Sequence, residues 1–134
     1  MLELRPLNGV NMIKTELKQA LRELLLKEAF SVGFNEEILG NSGLKHVFDV
    51  VARRERLTLC FDFIEGDSVS LLKGLGKTLD VNSARVFLLM ESRGKDAKTY
   101  TIETCSVIVY RDLEDMLTTV EELLVKEGLA RAGR

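Results

Sequence analysis

The sequence predicts an α/β fold: a mixed sheet of four or five strands, flanked by helices on both faces. It reads as one domain over residues 1–134, with its core at 12–127. Three observations carry this. Apolar stripes at helical spacing alternate with short runs rich in Val, Phe, Leu and Thr. The strand–helix–strand order over 56–90, and the return to a strand before 110, call for crossovers that lay helices on the sheet. A chain of 134 residues with a single Pro is long enough for one compact domain and too short for two.

Residues 1–10 read as a short leader, with Pro6 and an Asn8-Gly9 turn signal. From Asn11, a good N-cap, to about Phe30, the residues Ile13, Leu17, Ala20, Leu21 and Leu24 recur at helical spacing, and Leu25 and Leu26 widen the stripe. Val32-Gly33 ends this helix, residues 34–39 suit a short strand, and Gly40-Asn41-Ser42-Gly43 is a connection. Two strands follow at 45–53 and 56–64, joined through a charged run. A tight turn at Glu55-Arg56 would set Val51 opposite Cys60, Asp49 opposite Asp62 and Val47 opposite Ile64.

Asp67 or Ser68 can cap a second helix, whose stripe is Leu71, Leu72, Leu75 and Leu79, with Lys73 and Lys77 together on its other side. Gly74 and Gly76 sit inside it; they lack the strand-GxxxxGK[ST] context of a phosphate loop. Residues 84–90 form a continuous apolar run, as a strand covered on both faces does. Residues 91–105 suit either a short helix or a strand. Residues 106–110 are a strand, Asp112 caps a last helix with an apolar face of Leu113, Met116, Leu117, Val120, Leu123 and Leu124, and Gly128 ends it.

The chemistry centres on Asp49 and Asp62. Opposed on a hairpin they share a face, with side chains about 5 Å apart, where like charges repel and burial raises the cost. A bound cation, a shared proton, a basic side chain or a different register must offset that. The totals exclude other classes. A net charge of −2 offers no global attraction to nucleic acid, so such binding needs a local basic patch. Cys60 and Cys105 have neither CxxC spacing nor histidine partners, His46 being the one histidine, and read as buried, reduced core residues. No apolar run approaches the ~20 residues of a membrane span and no signal-peptide pattern precedes the first helix, so the expected location is cytoplasmic.

The element order, with Asp49 and Asp62 on the second and third strands, together with the stretches at 42–52, 59–64 and 106–113, resembles the PD-(D/E)xK restriction-endonuclease-like superfamily, in particular Mrr-type restriction enzymes and archaeal Holliday-junction resolvases. Ser42-Gly43, then His46-Val47-Phe48-Asp49-Val50-Val51-Ala52, is similar to that family's strand bearing the metal-binding Asp. Leu59-Cys60-Phe61-Asp62-Phe63-Ile64 occupies the place of its (D/E)-x-K strand. Ser106-Val107-Ile108-Val109-Tyr110-Arg111-Asp112-Leu113 looks like its closing strand-to-helix junction.

The resemblance implies a restriction-endonuclease-like fold and a site in which Asp49 and Asp62 hold Mg2+. The family's lysine position is Ile64 here, which carries no charge and donates no hydrogen bond. The resemblance then implies a lysine from the following helix, Lys73 or Lys77, and a Glu from the first helix, Glu23 or Glu16, beside the metal. Lys45 is less well placed, and strand alternation turns His46 away from Asp49. Two functions follow as expectations. One is a catalytically degenerate nuclease fold that serves as a nucleic-acid-binding or assembly module. The other is an active Mg-dependent DNA endonuclease using Asp49, Asp62 and the helix lysine. DNA and a second copy of the chain, as a homodimer, are the implied partners. A protein-interaction scaffold is a third reading.

Overall fold

The computed structural model describes residues 5–92, 98–102 and 104–129, with side chains from residue 14 onward. Among the described residues nine elements follow one another: α1 (Arg5–Lys27), β1 (Ser31–Leu39), β2 (Lys45–Arg54), β3 (Leu57–Ile64), α2 (Ser68–Asp80), β4 (Arg85–Glu91), β5 (Lys98–Ile102), β6 (Cys105–Tyr110) and α3 (Leu113–Lys126). The sheet has six strands in the order β1-β2-β3-β4-β6-β5, more than the four or five expected. The additional strand is β5, from the stretch that suited helix or strand equally. All five of its residues are exposed, so no buried face imprinted a period on the sequence. β3, β4 and β6 run parallel, and the other neighbours are antiparallel.

α1 starts earlier than expected, at Arg5 rather than after an Asn11 cap. Pro6 does not prevent this, because the first four N–H groups of a helix have no intrahelical acceptor. α2 and α3 open on the expected caps: Asp67 accepts from Ser70 N at 2.8 Å, and Asp112 from Asp115 N at 2.8 Å. Among the described residues no helix is long and apolar enough to cross a membrane.

The sheet divides the core in two. On one face Leu17, Leu21 and Leu25 of α1 and Met116, Val120 and Leu124 of α3 pack on Val50, Phe61, Phe87 and Ile108. On the other, Leu71 and Leu75 of α2 cover Phe48, Val51, Cys60, Val86, Leu88 and Val107. β4 contributes to both faces, and Val86 through Leu89 are fully buried, as its unbroken apolar run foretells.

The phase of α2 differs from the predicted stripe. Leu72 and Leu79 are 67% and 77% exposed, and Gly74 and Thr78 take the buried positions. Gly74 causes the shift: a Cβ there would meet the Leu88 methyls at 3.0 and 3.2 Å, so the helix seats close to the sheet through its one bare position.

Candidate active site

The β2–β3 register follows the predicted hairpin, with Val51 opposite Cys60 and Arg54 opposite Leu57. Glu55 takes a left-handed φ of 57° in the turn, the conformation that Asn-Gly turns reach without strain. The ladder ends at Val50–Phe61, one step short of the two acids. There each carboxylate bonds to the opposite strand's backbone. Asp49 N donates to Asp62 Oδ1 at 2.9 Å, and Phe63 N donates to Asp49 Oδ2 at 2.8 Å. The acids therefore replace the main-chain ladder as the link between β2 and β3.

The strict alternation expected of β2 fails at Asp49. Phe48 packs on the α2 side of the sheet, whereas Val50 packs on the α1 side, although both numbers are even. β1 reverses at the same level, with Phe34 on one side and Ile38 on the other. The local cause is Asn35, whose φ of 53° turns the chain over where the ladder passes from Phe34–Val50 to Glu36–Phe48. Asp49 and Asp62 consequently do not simply share a face. Asp49 is met by Lys14 of α1, whose Nζ lies 3.3 Å from Oδ1. Asp62 is met by Lys77 of α2, whose Nζ donates to Oδ2 at 2.5 Å.

Lys77 is the better defined of the two lysines. Its Nζ also donates to Val47 O at 2.5 Å and stands 4.5 Å from the centre of the Phe48 ring. Burial pushes the Asp62 carboxyl above the ordinary carboxylate range; the bonds from Lys77 and from Asp49 N pull the other way without cancelling it. Cys60, on the same strand, is pushed up to about 12 by burial and stays a thiol, which excludes it as a nucleophile.

The other expected site residues lie elsewhere. Lys73 is exposed, one turn before Lys77 on the outer side of α2. Glu23 and Glu16 are exposed. Glu23 stands nine residues beyond Lys14, about 13 Å along the helix, and so cannot join the acids. Among the described residues no three His, Cys, Asp or Glu side chains gather as a metal-holding group. Lys45 is exposed and faces Glu37 at 4.0 Å. His46 turns to the end of α2, with Nε2 2.7 Å from Asp80 Oδ2. Sequence reasoning missed Lys14. Its signal was its place three residues before Leu17, at the border of the buried stripe of α1.

Two carboxylates suit Mg2+ without a third protein ligand, since that ion keeps several waters and is commonly held by one or two carboxylates plus substrate phosphate. The Asp49 and Asp62 side chains keep 16% and 12% of their surface exposed. Three of their four oxygens accept one hydrogen bond each from within the chain, and the fourth, Asp49 Oδ1, is met by the Lys14 charge; each oxygen retains a further lone pair. By donor type, then, the two carboxylates are of the kind that ion takes.

No family model and no curated protein sequence matches the chain. Solved structures similar to it include the following two. One is the crystal structure of the protein of unknown function AF1548, at 15% identity over 84% of this chain and 77% of that one, with a TM-score of 0.49. The other is a chain of the refined half-complex from a tetradecameric assembly of Thermococcus gammatolerans McrB AAA+ hexamers with bound McrC. There the identity is 11% and the TM-score 0.53, over 80% of this chain and 32% of that one. At 11% identity the likeness to the second is one of fold alone, and this chain spans about a third of that one.

Proposed function

We propose that this chain is a metal-dependent phosphodiesterase acting on nucleic acid, with Asp49, Asp62 and Lys77 as its working groups. The observation that carries the reading is the 2.5 Å contact between Lys77 Nζ and Asp62 Oδ2. Ile64 leaves the strand without a cation, and the following helix supplies one to the same carboxylate. Mg2+ held by the two acids would supply Lewis acidity and lower the pKa of a bound water. Lys77 holds a fixed positive charge and spare N–H donors beside the acids, where charge develops on a phosphoryl group. Asp49 and Asp62, by bonding across the open end of the hairpin, fix their own spacing.

Binding of the polyanion is supported by α1. Lys14, Lys18 and Arg22 recur at four-residue intervals along one flank, a local basic ridge that begins at Asp49 in a chain of net charge −2. Lys18 is braced by Asn35 Oδ1 at 3.2 Å and by the Phe34 ring at 4.9 Å.

A second reading, a nucleic-acid-binding or assembly module without hydrolysis, is favoured by one observation: every oxygen of the acid pair is already engaged inside the fold, three by hydrogen bonds and Asp49 Oδ1 by the Lys14 charge. The test is cleavage of supercoiled, linear and branched DNA with Mg2+ or Mn2+. The first reading expects cleavage that falls about a hundredfold or more in Lys77→Met and Asp49→Ala. A wild type that binds DNA yet leaves it intact selects the second. A chain that neither cuts nor binds DNA refutes the first reading and the nucleic-acid-binding form of the second.

A further inference from the structure

The end of α2 carries a second polar cluster, separate from the acid pair. Asp80, the last residue of the helix, accepts from Ser42 N at 2.8 Å and from Ser42 Oγ at 2.6 Å, and lies 2.7 Å from His46 Nε2. Its carbonyl accepts from Asn41 N at 2.7 Å, and Asn41 Nδ2 donates to Asn82 Oδ1 at 2.9 Å. The β1–β2 loop thus closes on the end of α2 and on Asn82 just beyond it through four hydrogen bonds, and His46 of β2 adds a fifth.

Two details indicate that the sequence is shaped for this contact. A carboxylate in the last turn of a helix opposes the helix dipole, so the helix itself gives no reason for Asp80. Gly40 has no room for a side chain, since a Cβ would fall 2.1 Å from Asp80 Oδ2 and 3.1 Å from His46 Cδ2. The Ser42 and His46 bonds hold the Asp80 carboxyl below its ordinary range. Asp80 is central, bonded to both Ser42 and His46. The order is therefore not that of a nucleophile activated by a histidine, which needs the histidine in the middle.

The cluster bears on the acid pair through helical spacing. Lys77 and Asp80 are three residues apart and project from neighbouring positions on α2. They reach consecutive residues of β2, Lys77 to Val47 O and Asp80 to His46. We propose that Ser42, His46 and Asp80 form a positioning clamp that seats the last turn of α2 on β2 and so sets Lys77 Nζ on Asp62. The clamp rests on the phosphodiesterase reading for its purpose, though not for its geometry. Ser42, His46 and Asp80 are positioning residues and touch no reacting atom.

The test separates the two claims. The Asp62 carboxyl is titrated by carbon-detected NMR in the intact chain, wild type and variants, alongside DNA cleavage. Lys77→Met gives the full upward displacement of the Asp62 midpoint that loss of the lysine causes. The clamp predicts that Asp80→Ala and His46→Ala move that midpoint in the same direction, and that His46→Gln, which keeps a donor, restores it. Asp112→Ala, which removes the cap of α3, leaves it in place. Cleavage in Asp80→Ala falls about ten- to a hundredfold, the scale on which an ångström of misplacement acts. If Asp80→Ala does not fold, His46→Ala, which loses a single contact, decides alone. An Asp62 titration unmoved in the clamp variants while Lys77→Met shifts it overturns the clamp and leaves the phosphodiesterase reading standing. A wild type without cleavage, but with the titration pattern described, refutes the activity and supports the clamp.

Discussion

Replacing Lys77 with methionine isolates the contact on which the site depends. The variant keeps an unbranched stem over the Phe48 ring and removes the charge with its bonds to Asp62 and Val47 O. Breaking a fully buried ion pair from one side costs about 3–5 kcal/mol, because the partner charge is left uncompensated. Lys77 keeps 25% of its side chain exposed, and solvent reduces that term to about 2 kcal/mol. The lost bond to Val47 O adds about 1 kcal/mol, and the methionine sulfur against Phe48 returns a fraction of it. The expected loss at neutral pH is about 2–3 kcal/mol, a fall of about 1–1.5 M in the urea midpoint. The penalty depends on pH with a definite sign. Without Lys77 the Asp62 carboxyl lies still further above its ordinary 3.8, so the folded chain binds a proton that the unfolded chain has released. Stability of the variant then falls as pH rises through that window, and the penalty shrinks toward acid. Lys73→Met, on the exposed side of α2, is the control, expected within about 0.5 kcal/mol of wild type. A Lys77→Met loss no larger than that of Lys73→Met, or one unchanged between neutral pH and pH 4, refutes the reasoning.

Other outcomes follow from the same packing and electrostatics. In the wild type the Asp62 carboxyl, raised mainly by burial, makes stability fall as pH rises from 3.8 through its folded midpoint, and Asp62→Asn removes that slope from a denaturation series. Gly76→Ala raises stability by up to about 1 kcal/mol, since nothing lies within 4 Å of the new Cβ and alanine is the better helix former. Gly74→Ala forfeits that gain and lowers the thermal midpoint, because the Leu88 methyls at 3.0 and 3.2 Å are themselves fully buried and have little room to give. Glu55→Gly relieves a left-handed residue in the β2–β3 turn and stabilises by about 1 kcal/mol, read from the same denaturation curves.

Much of this architecture was legible in the chain. Alternation and the charged turn fixed the pairing of Val51 with Cys60, and the apolar run of β4 announced a strand covered on both faces. Asp49 and Asp62 were picked out because each interrupts an apolar strand. What escaped were features set by neighbours in space. The reversal of β2 at Asp49 originates beside it, at Asn35 on β1, and leaves no mark on the β2 sequence. Lys73 and Lys77 read alike because the leucines of α2 suggest a different phase for the helix. In fact Gly74 seats the helix, which turns Leu72 outward and brings Lys77 to the flank nearest the sheet. Lys14 reaches Asp49 from 35 residues earlier in the sequence, and periodicity within a helix says nothing of what its border residues will meet.

The claim that Asp49 and Asp62 hold a divalent cation is tested most directly by calorimetric titration of the wild type, Asp49→Ala and Asp62→Ala with Mg2+ and Mn2+. The account predicts saturable binding by the wild type, with heat lost in both variants and changed in Lys77→Met. Absence of binding to the wild type at millimolar metal, or binding that survives both aspartate substitutions, contradicts it.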